Sequence, residues 1–113
     1  MKSGFTVIYD IDSLNLNDSE IKEVRITQLN EIEIDIQLIL SYETQESAPH
    51  RLVFSDCQSA RLELNLAYEG TESIHSSSQS RKDTDYLEYC IVTNTAGSTI
   101  RVVARRLLLK RLT

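Results

Sequence analysis

The chain has 113 residues and a formal net charge of −5, with 12 basic and 17 acidic side chains, and 41% of its residues are hydrophobic. This length fits a single domain, residues 1–113, and the apolar content is too high for a disordered chain. No run of 18 apolar residues is present, which excludes a membrane-spanning helix, and the net acidity argues against a nucleic-acid binder. Since the N-terminus also shows no secretory signal pattern, the expected location is the cytoplasm.

The first predicted strand is Phe5–Tyr9, a short run in which apolar and β-branched side chains dominate. Segment 12–19 follows, rich in Asp, Asn and Ser, whose side chains bond their own backbone and so favour loops. One helical turn with Asp12 or Ser13 as its N-cap would fit there. The sequence therefore predicts a loop with at most one short helix.

A hairpin is predicted next, from Ile21–Leu29 and Ile32–Tyr42. In the second of these segments, apolar side chains occupy alternate positions and polar ones fill most of the positions between them. This period of two is typical of a strand with one buried and one wet face. Asn30 lies in the intervening turn, where it tolerates the positive φ that tight hairpins need.

The middle of the chain predicts two further strands separated by breaks. Segment 43–50 holds the only proline and predicts a loop, and Arg51–Ser55 predicts a short strand that ends at the polar residues 56–59. Arg61–Glu69 alternates apolar with polar residues and predicts a strand of its own. Residues 70–85 are mostly polar and rich in serine, which predicts a long flexible loop.

The last predicted hairpin consists of Tyr86–Thr93 and Ser98–Arg106. The leucine-rich run 107–112 follows, and consecutive leucines fit a strand covered on both faces, a bulge that shifts the register, or a helical end. The whole chain therefore predicts an all-β domain: an antiparallel sandwich or a partly open barrel of six or seven strands, with at most one short helix.

The residue types that most often bind metals or catalyse reactions form no recognisable motif in this sequence. Cys57, Cys90, His50 and His75 each lie alone in their own segments at spacings that match no zinc pattern, and cysteines of cytosolic proteins are usually reduced. No nucleophile motif or glycine-rich phosphate loop is present. The sequence therefore predicts no metal site, no cofactor, no catalytic residue and no enzyme activity. An enzyme would need one of the two histidines buried beside a carboxylate or a cysteine.

Charge is divided unevenly along the chain. Residues 1–80 carry five basic and 14 acidic side chains, a balance of −9, whereas residues 81–113 carry seven basic and three acidic ones, a balance of +4. The basic end either pairs with acidic strands of the same chain or forms a patch for an anionic partner. The candidate interaction surface predicted there consists of Arg101, Arg105, Arg106, Leu107, Leu109, Lys110 and Arg111.

Leu16–Val24, followed by an alternating strand, resembles the opening of small bacterial β-rich proteins that begin with an aromatic-His-Asp-Ser/Ala-x-Ile motif. Asp18, Ser19 and Ile21 match that motif, and Leu16-Asn17 stands in place of the aromatic-His pair. Some of those proteins are grouped with immunity proteins of polymorphic toxin systems, and others are uncharacterised. The resemblance implies a non-enzymatic protein that binds another protein, and it transfers no catalytic residue.

The leading hypothesis is therefore a small protein-interaction module, whose partner is another protein or a second copy of the chain, and neither nucleic acid nor a membrane. Self-association would use Ile32–Tyr42 or the leucine-rich C-terminus. The alternative is a small-molecule-binding barrel or sandwich with an internal apolar pocket, lined by Leu64, Ile36 and Tyr89.

Overall fold

The structure, a computed structural model, describes residues 4–27, 30–65, 67, 70–95 and 97–112. Within these ranges the chain forms one turn of 3₁₀ helix at Ile11–Ser13 and seven strands. The strands are β1 (Thr6–Ile8), β2 (Glu20–Ile26), β3 (Ile32–Ser41), β4 (Glu46–Glu63), β5 (Ile74–Arg81), β6 (Leu87–Thr93) and β7 (Thr99–Arg111). No helix in the described ranges is long and apolar enough to cross a membrane.

All seven strands belong to one antiparallel sheet that does not close on itself. The hydrogen-bonded order is β2-β3-β4-β7-β6-β5, and β1 pairs with the C-terminal part of β7. An isolated bridge between Glu20 and Ser73 links the start of β2 to the residue before β5, so the two outer strands of this order approach each other. The structure thus confirms the predicted all-β antiparallel fold, with seven strands.

One face of the sheet is buried and forms the core, as the alternation in β3 predicts. Ile32, Ile34 and Ile36 are at most 3% exposed, whereas the polar residues between them are partly accessible. The rings of Phe54 and Tyr89 pack within this core with their centroids 5.0 Å apart. The remaining fully buried members of the core are Ile11, Leu16, Leu52, Ile74, Ile91, Ile100, Val102, Ala104 and Leu107.

Strand β4 continues through the segment where the sequence predicts a break. Its 18 residues would span roughly 60 Å if straight, yet the longest dimension of the molecule is 38 Å. The backbone has φ 55° at Asp56, and the register with β7 slips between Cys57 and Ser59. A β-bulge of this kind bends a strand without ending it. The predicted break at residues 56–59 is therefore wrong.

The predicted loop at residues 43–50 is also too long, because only residues 42–45 form a turn before β4 begins. Pro49 lies inside the strand, opposite Gln37 of β3. Its carbonyl accepts a hydrogen bond from the N–H of Leu112, just beyond the end of β7. The missing proline N–H faces the same side, where no strand continues, so β4 tolerates the residue.

The separate strand predicted at Arg61–Glu69 is wrong as well. Arg61–Glu63 form the end of β4, and Leu64 and Asn65 lie outside any strand. Positions 66, 68 and 69 lie outside the described residues. The alternating leucines that indicate a strand in the sequence therefore continue beyond Glu63. The pairing of β4 with β7 ends at that residue, opposite Thr99.

In β7 the side chains that face the core change parity midway. The even-numbered residues of 100–104 face it in the first half, and Leu107 and Leu109 do so in the second. Arg105 and Arg106 are both exposed at this switch, which lies opposite the bend in β4. The leucine run is therefore strand, and a local irregularity accounts for its pattern.

The flexible loop predicted at residues 70–85 is wrong over half its length, because β5 occupies Ile74–Arg81 and pairs with β6. Three of the serines in β5 are exposed at alternate positions, while Ile74 is fully buried. Serine-rich composition predicts disorder because such residues bury little apolar surface. Here the backbone bonds to β6 and the buried Ile74 order the segment instead.

The N-terminal segment is attached to β5 through one side chain. The carboxamide of Gln79 accepts a hydrogen bond from the N–H of Ile11 at 2.7 Å and donates one to the carbonyl of Tyr9 at 3.0 Å. Asp10, between them, caps the 3₁₀ turn by accepting a hydrogen bond from the N–H of Asp12, and so takes the capping role that the sequence predicts for residue 12 or 13. The carboxamide thus replaces a backbone bridge and holds the buried Ile11 in place.

Replacing Gln79 with alanine should lower the free energy of unfolding by about 1–2 kcal/mol, because both hydrogen bonds are lost. Gln79→Glu keeps the acceptor for Ile11 but places a carboxylate oxygen against the carbonyl of Tyr9, so it should cost at least as much. Urea unfolding of the variants measures both effects. Ser78→Ala, a change at the exposed residue next to Gln79, serves as the control. A Gln79→Ala protein as stable as the control would contradict this role.

Candidate interaction surface

The seven residues predicted to form the interaction surface do not lie on one surface. Four are exposed: Arg101, Arg105, Arg106 and Arg111. Leu109 and Lys110 are partly buried, and Leu107 is 0% exposed, packed in the core. Including Leu107 in an interaction surface is therefore wrong, because the parity change in β7 turns this side chain inward.

Several basic side chains of β7 interact with other side chains of the same chain. Arg106 forms an ion pair with Asp56 at 3.2 Å, across the bend in β4. Lys110 lies over the ring of Phe5, with its Nζ atom 5.4 Å from the ring centroid. Arg105 lies over the ring of Tyr86 at 5.2 Å, and a hydrogen bond to Tyr86 raises the pKa of Arg105. Internal pairing thus accounts for part of the basic C-terminus.

Arg101 has a different environment, because its cross-strand neighbour on β4 is a second arginine, Arg61. Both residues are exposed, and within the described part of the chain neither guanidinium forms an ion pair. Side chains directly opposite each other on antiparallel strands have Cβ atoms about 5 Å apart, and like charges in this position destabilise a sheet. The pair is therefore unfavourable in the isolated protein.

The surroundings of this pair combine small side chains with two acidic ones, since Glu63 follows Arg61 on the same face of β4 and Glu88 lies opposite Val103 on β6. Ser59 and Val103 are the next outward pair on β4 and β7, and Cys90 is the neighbour of Arg101 on β6. We call these five outward residues, Ser59, Arg61, Cys90, Arg101 and Val103, the arginine face. Val103 is only 6% exposed, so neighbouring side chains cover most of it.

The outer surface of β2, β3 and β4 shows the opposite arrangement, with its charges paired. Asp35 on β3 accepts hydrogen bonds from Arg51 at 2.7 Å and from Arg25 at 2.9 Å. Arg25 also reaches Glu33 at 3.1 Å and Glu23 at 2.8 Å. The hydrogen bonds from Arg51 and Arg25 lower the pKa of Asp35 from 3.8 to about 2, against the opposing effect of burial. We call these five residues the ion-pair network.

The histidines and cysteines remain separate from one another. His50 is 7% exposed, and its Nδ1 lies 3.0 Å from the carbonyl of Ala48, whereas His75 is exposed. Both thiols are free; Cys57 donates to the carbonyl of Phe54 at 3.1 Å, and burial raises its pKa. Among the described residues, no three His, Cys, Asp or Glu side chains converge as metal ligands would.

The three residues predicted to share an internal pocket are not together. Ile36 and Tyr89 are each 1% exposed and packed in the core. The hydroxyl of Tyr89 is buried without a hydrogen-bond partner, and burial raises its pKa. Leu64 is 43% exposed and lines a cleft of about 390 Å³ at the edge of the sheet. The described residues therefore do not place these three side chains around one internal pocket.

The two segments predicted for self-association do not offer free strand edges. Strand β3 is paired on both sides, by β2 and β4, and β7 is paired by β4 on one side and by β6 and β1 on the other. Sheet extension through either segment is thus blocked by strands of the same chain.

No protein-family model matches the sequence, and no curated protein matches it.

Proposed function

We propose that this protein is a small non-enzymatic interaction module whose arginine face binds a carboxylate-bearing surface of another protein. The observation that carries the proposal is the pairing of Arg61 with Arg101 in register, both exposed and neither neutralised by a described carboxylate. Two adjacent guanidinium groups present several N–H donors in fixed forks, an arrangement that suits carboxylates. A partner's Asp or Glu between them would convert a repulsive contact into an attractive one.

A protein fits this surface better than a nucleic acid. The chain carries a net charge of −5, and a nucleic-acid site normally shows an extended basic footprint. The arginine face also contains no aromatic side chain on which a base could stack. The resemblance of the Asp18-Ser19-x-Ile21 segment to immunity-like proteins supports the same class, since those proteins act by binding another protein.

The two arginines should contribute in opposite directions to stability and to binding. Replacing Arg61 with glutamine removes the like-charge contact and should raise the free energy of unfolding by about 0.2–1 kcal/mol, as measured by urea unfolding in low salt. The same change should weaken binding of the partner, because one of the two guanidinium groups is lost. An Arg61→Gln protein less stable than wild type would contradict the repulsion.

Binding is tested by affinity capture from cells that naturally make the protein, followed by mass spectrometry. We expect a protein captured by wild type to be lost with Arg61→Glu/Arg101→Glu and kept with Lys82→Glu, an exposed charge reversal in the β5–β6 turn. Titration of the purified partner should then show weaker binding as salt increases. Equal capture by the double variant would reject the arginine face as the interface.

A further inference from the structure

Strand β1 has one edge that is not paired with another strand. It pairs with β7 from Thr6–Leu109 to Ile8–Leu107, and with no other strand in the described part of the chain. Alternate residues of an antiparallel strand direct their N–H and C=O groups to opposite sides, so part of the β1 backbone faces away from β7. Backbone groups at such an edge are a template for an added strand.

The edges of β2 and β5 are protected, whereas that of β1 is not. The bridge between Glu20 and Ser73 joins β2 to the start of β5, and each of these strands contains a register shift. Strand β2 also carries charged residues, among them Lys22 and Arg25. Bulges and charges are the usual devices that prevent strand addition. Residues 3–9 carry no charge, and the pairing of β1 shows no register shift.

An apolar strip on the outer face of the sheet ends at this edge. Val53, Leu108 and Val7 are neighbours on β4, β7 and β1, and they lie on the face opposite the core. Exposure rises along the strip: Val53 is 0% exposed, Leu108 is partly exposed and Val7 is 39% exposed. The strip is therefore covered within the sheet and open to solvent where the sheet ends.

We propose that β1 pairs antiparallel with β1 of a second copy of the chain, with Val7 opposite Val7 across a two-fold axis. In this register Thr6 lies opposite Ile8 of the second copy, and the two apolar strips join into one. All three positions hold β-branched side chains, which form favourable cross-strand pairs. Because residues 3–9 are uncharged, no like charges within these two segments oppose the approach.

The contact is small, which sets the strength to expect. Three paired residues from each copy bury less than the roughly 800 Å² per partner of a standard interface, and such interfaces are typical of transient association. The ladder ends at Tyr9, whose carbonyl already accepts a hydrogen bond from Gln79. This association goes beyond the proposed partner binding, because Arg61 and Arg101 lie at the other end of the β4–β7 ladder.

The test is sedimentation equilibrium of the full chain from about 10 μM to about 1 mM, a range suited to weak association. We expect wild type to show a monomer–dimer equilibrium without larger species, since a two-fold contact closes on itself. Val7→Lys should weaken the association about tenfold or more, because two ammonium groups would then face each other at the axis. Ile26→Lys, a control at an apolar side chain of β2 that is 76% exposed, should leave it unchanged.

A charge-swap pair tests whether the contact is two-fold at Val7. Val7→Lys and Val7→Glu should each be monomeric alone, and their equimolar mixture should dimerise, since an ammonium then faces a carboxylate. Circular dichroism checks that each variant is folded. The double variant Arg61→Glu/Arg101→Glu should associate as wild type does, which keeps this proposal separate from that of the arginine face.

Four results would overturn the proposal. Wild type could remain monomeric up to about 1 mM, in which case the β1 edge does not bind a second copy at a measurable strength. A folded Val7→Lys protein could associate as wild type does, or the mixture with Val7→Glu could stay monomeric. Finally, an equal loss of association in Ile26→Lys would place the contact on β2 or show that it is not specific.

Discussion

Replacing Leu107 with alanine should lower the free energy of unfolding by about 2–5 kcal/mol. Leu107 is 0% exposed, belongs to the core and lies opposite Phe54 in the β4–β7 ladder. Loss of its isopropyl group removes buried apolar surface and leaves a cavity that the surrounding strands fill only in part. Because small domains are stabilised by about 5–15 kcal/mol in total, this loss is a large fraction of the whole.

The matched control is Leu108→Ala, the same deletion one residue further along β7. Leu108 is partly exposed and points to the outer side of the sheet, so its loss should cost roughly 1 kcal/mol. Urea unfolding of the two variants measures the difference directly. Similar losses from both would mean that the parity change at Arg105 and Arg106 is misplaced. The same contrast separates a core role for Leu107 from a role in partner binding.

Acidification should remove a further part of the stability through Asp35. Because the pKa of Asp35 is lowered from 3.8 to about 2 in the folded protein, its ion pairs contribute fully above the unfolded pKa and are lost as the pH falls through the folded one. A depression of this size corresponds to about 2 kcal/mol. Wild type should therefore lose this amount between pH 5 and pH 2 in addition to any loss from other carboxylates.

Asp35→Asn isolates that contribution. At pH 7 the variant should be less stable than wild type by about 2–3 kcal/mol, because Arg25 and Arg51 both keep their charges and lose the negative charge that they share. The difference should shrink toward zero as the pH is lowered to 2, where Asp35 of wild type is being protonated. Urea unfolding across this range, with the exposed Asp12→Asn as control, provides the measurement. A difference that stays constant with pH would exclude the ion-pair network as its source.

The elements that the sequence predicts well are those whose pattern is set within a few residues. The alternation in Ile32–Tyr42 reports which face of β3 is buried, and β3 extends over Ile32–Ser41 with that face in the core. Asn30 is a second example, since its φ of 56° is the conformation expected for asparagine in a tight turn. Both features depend on local backbone geometry and on a single buried face.

The elements that the sequence mispredicts depend on pairing with distant strands. Polar residues 56–59 look like a break, yet β7 pairs on both sides of them and carries β4 through the bend. The serine-rich stretch of β5 looks like a loop, yet β6 supplies its backbone partners. Local composition contains no information about which strand lies alongside, so it cannot predict strands whose pairing partners are distant in the sequence.

The same limit applies to the candidate sites. Arg101 belongs to a basic run that is visible in the sequence, whereas Arg61 lies 40 positions earlier in an acidic region and becomes its neighbour only through the β4–β7 register. The sequence also predicts an exposed Leu107, since nothing in the basic run indicates the parity change in β7 that turns this side chain inward.

Because β4 and β7 are long, binding at their shared ladder involves strands that pair with both halves of the sheet. Their shared ladder runs from His50–Arg111 to Glu63–Thr99, and it contacts β3 in one half of the sheet and β6 in the other. The two halves therefore share this ladder. A partner that binds Arg61 and Arg101 contacts one residue from each of these two strands. Its binding free energy therefore stabilises the whole domain against unfolding.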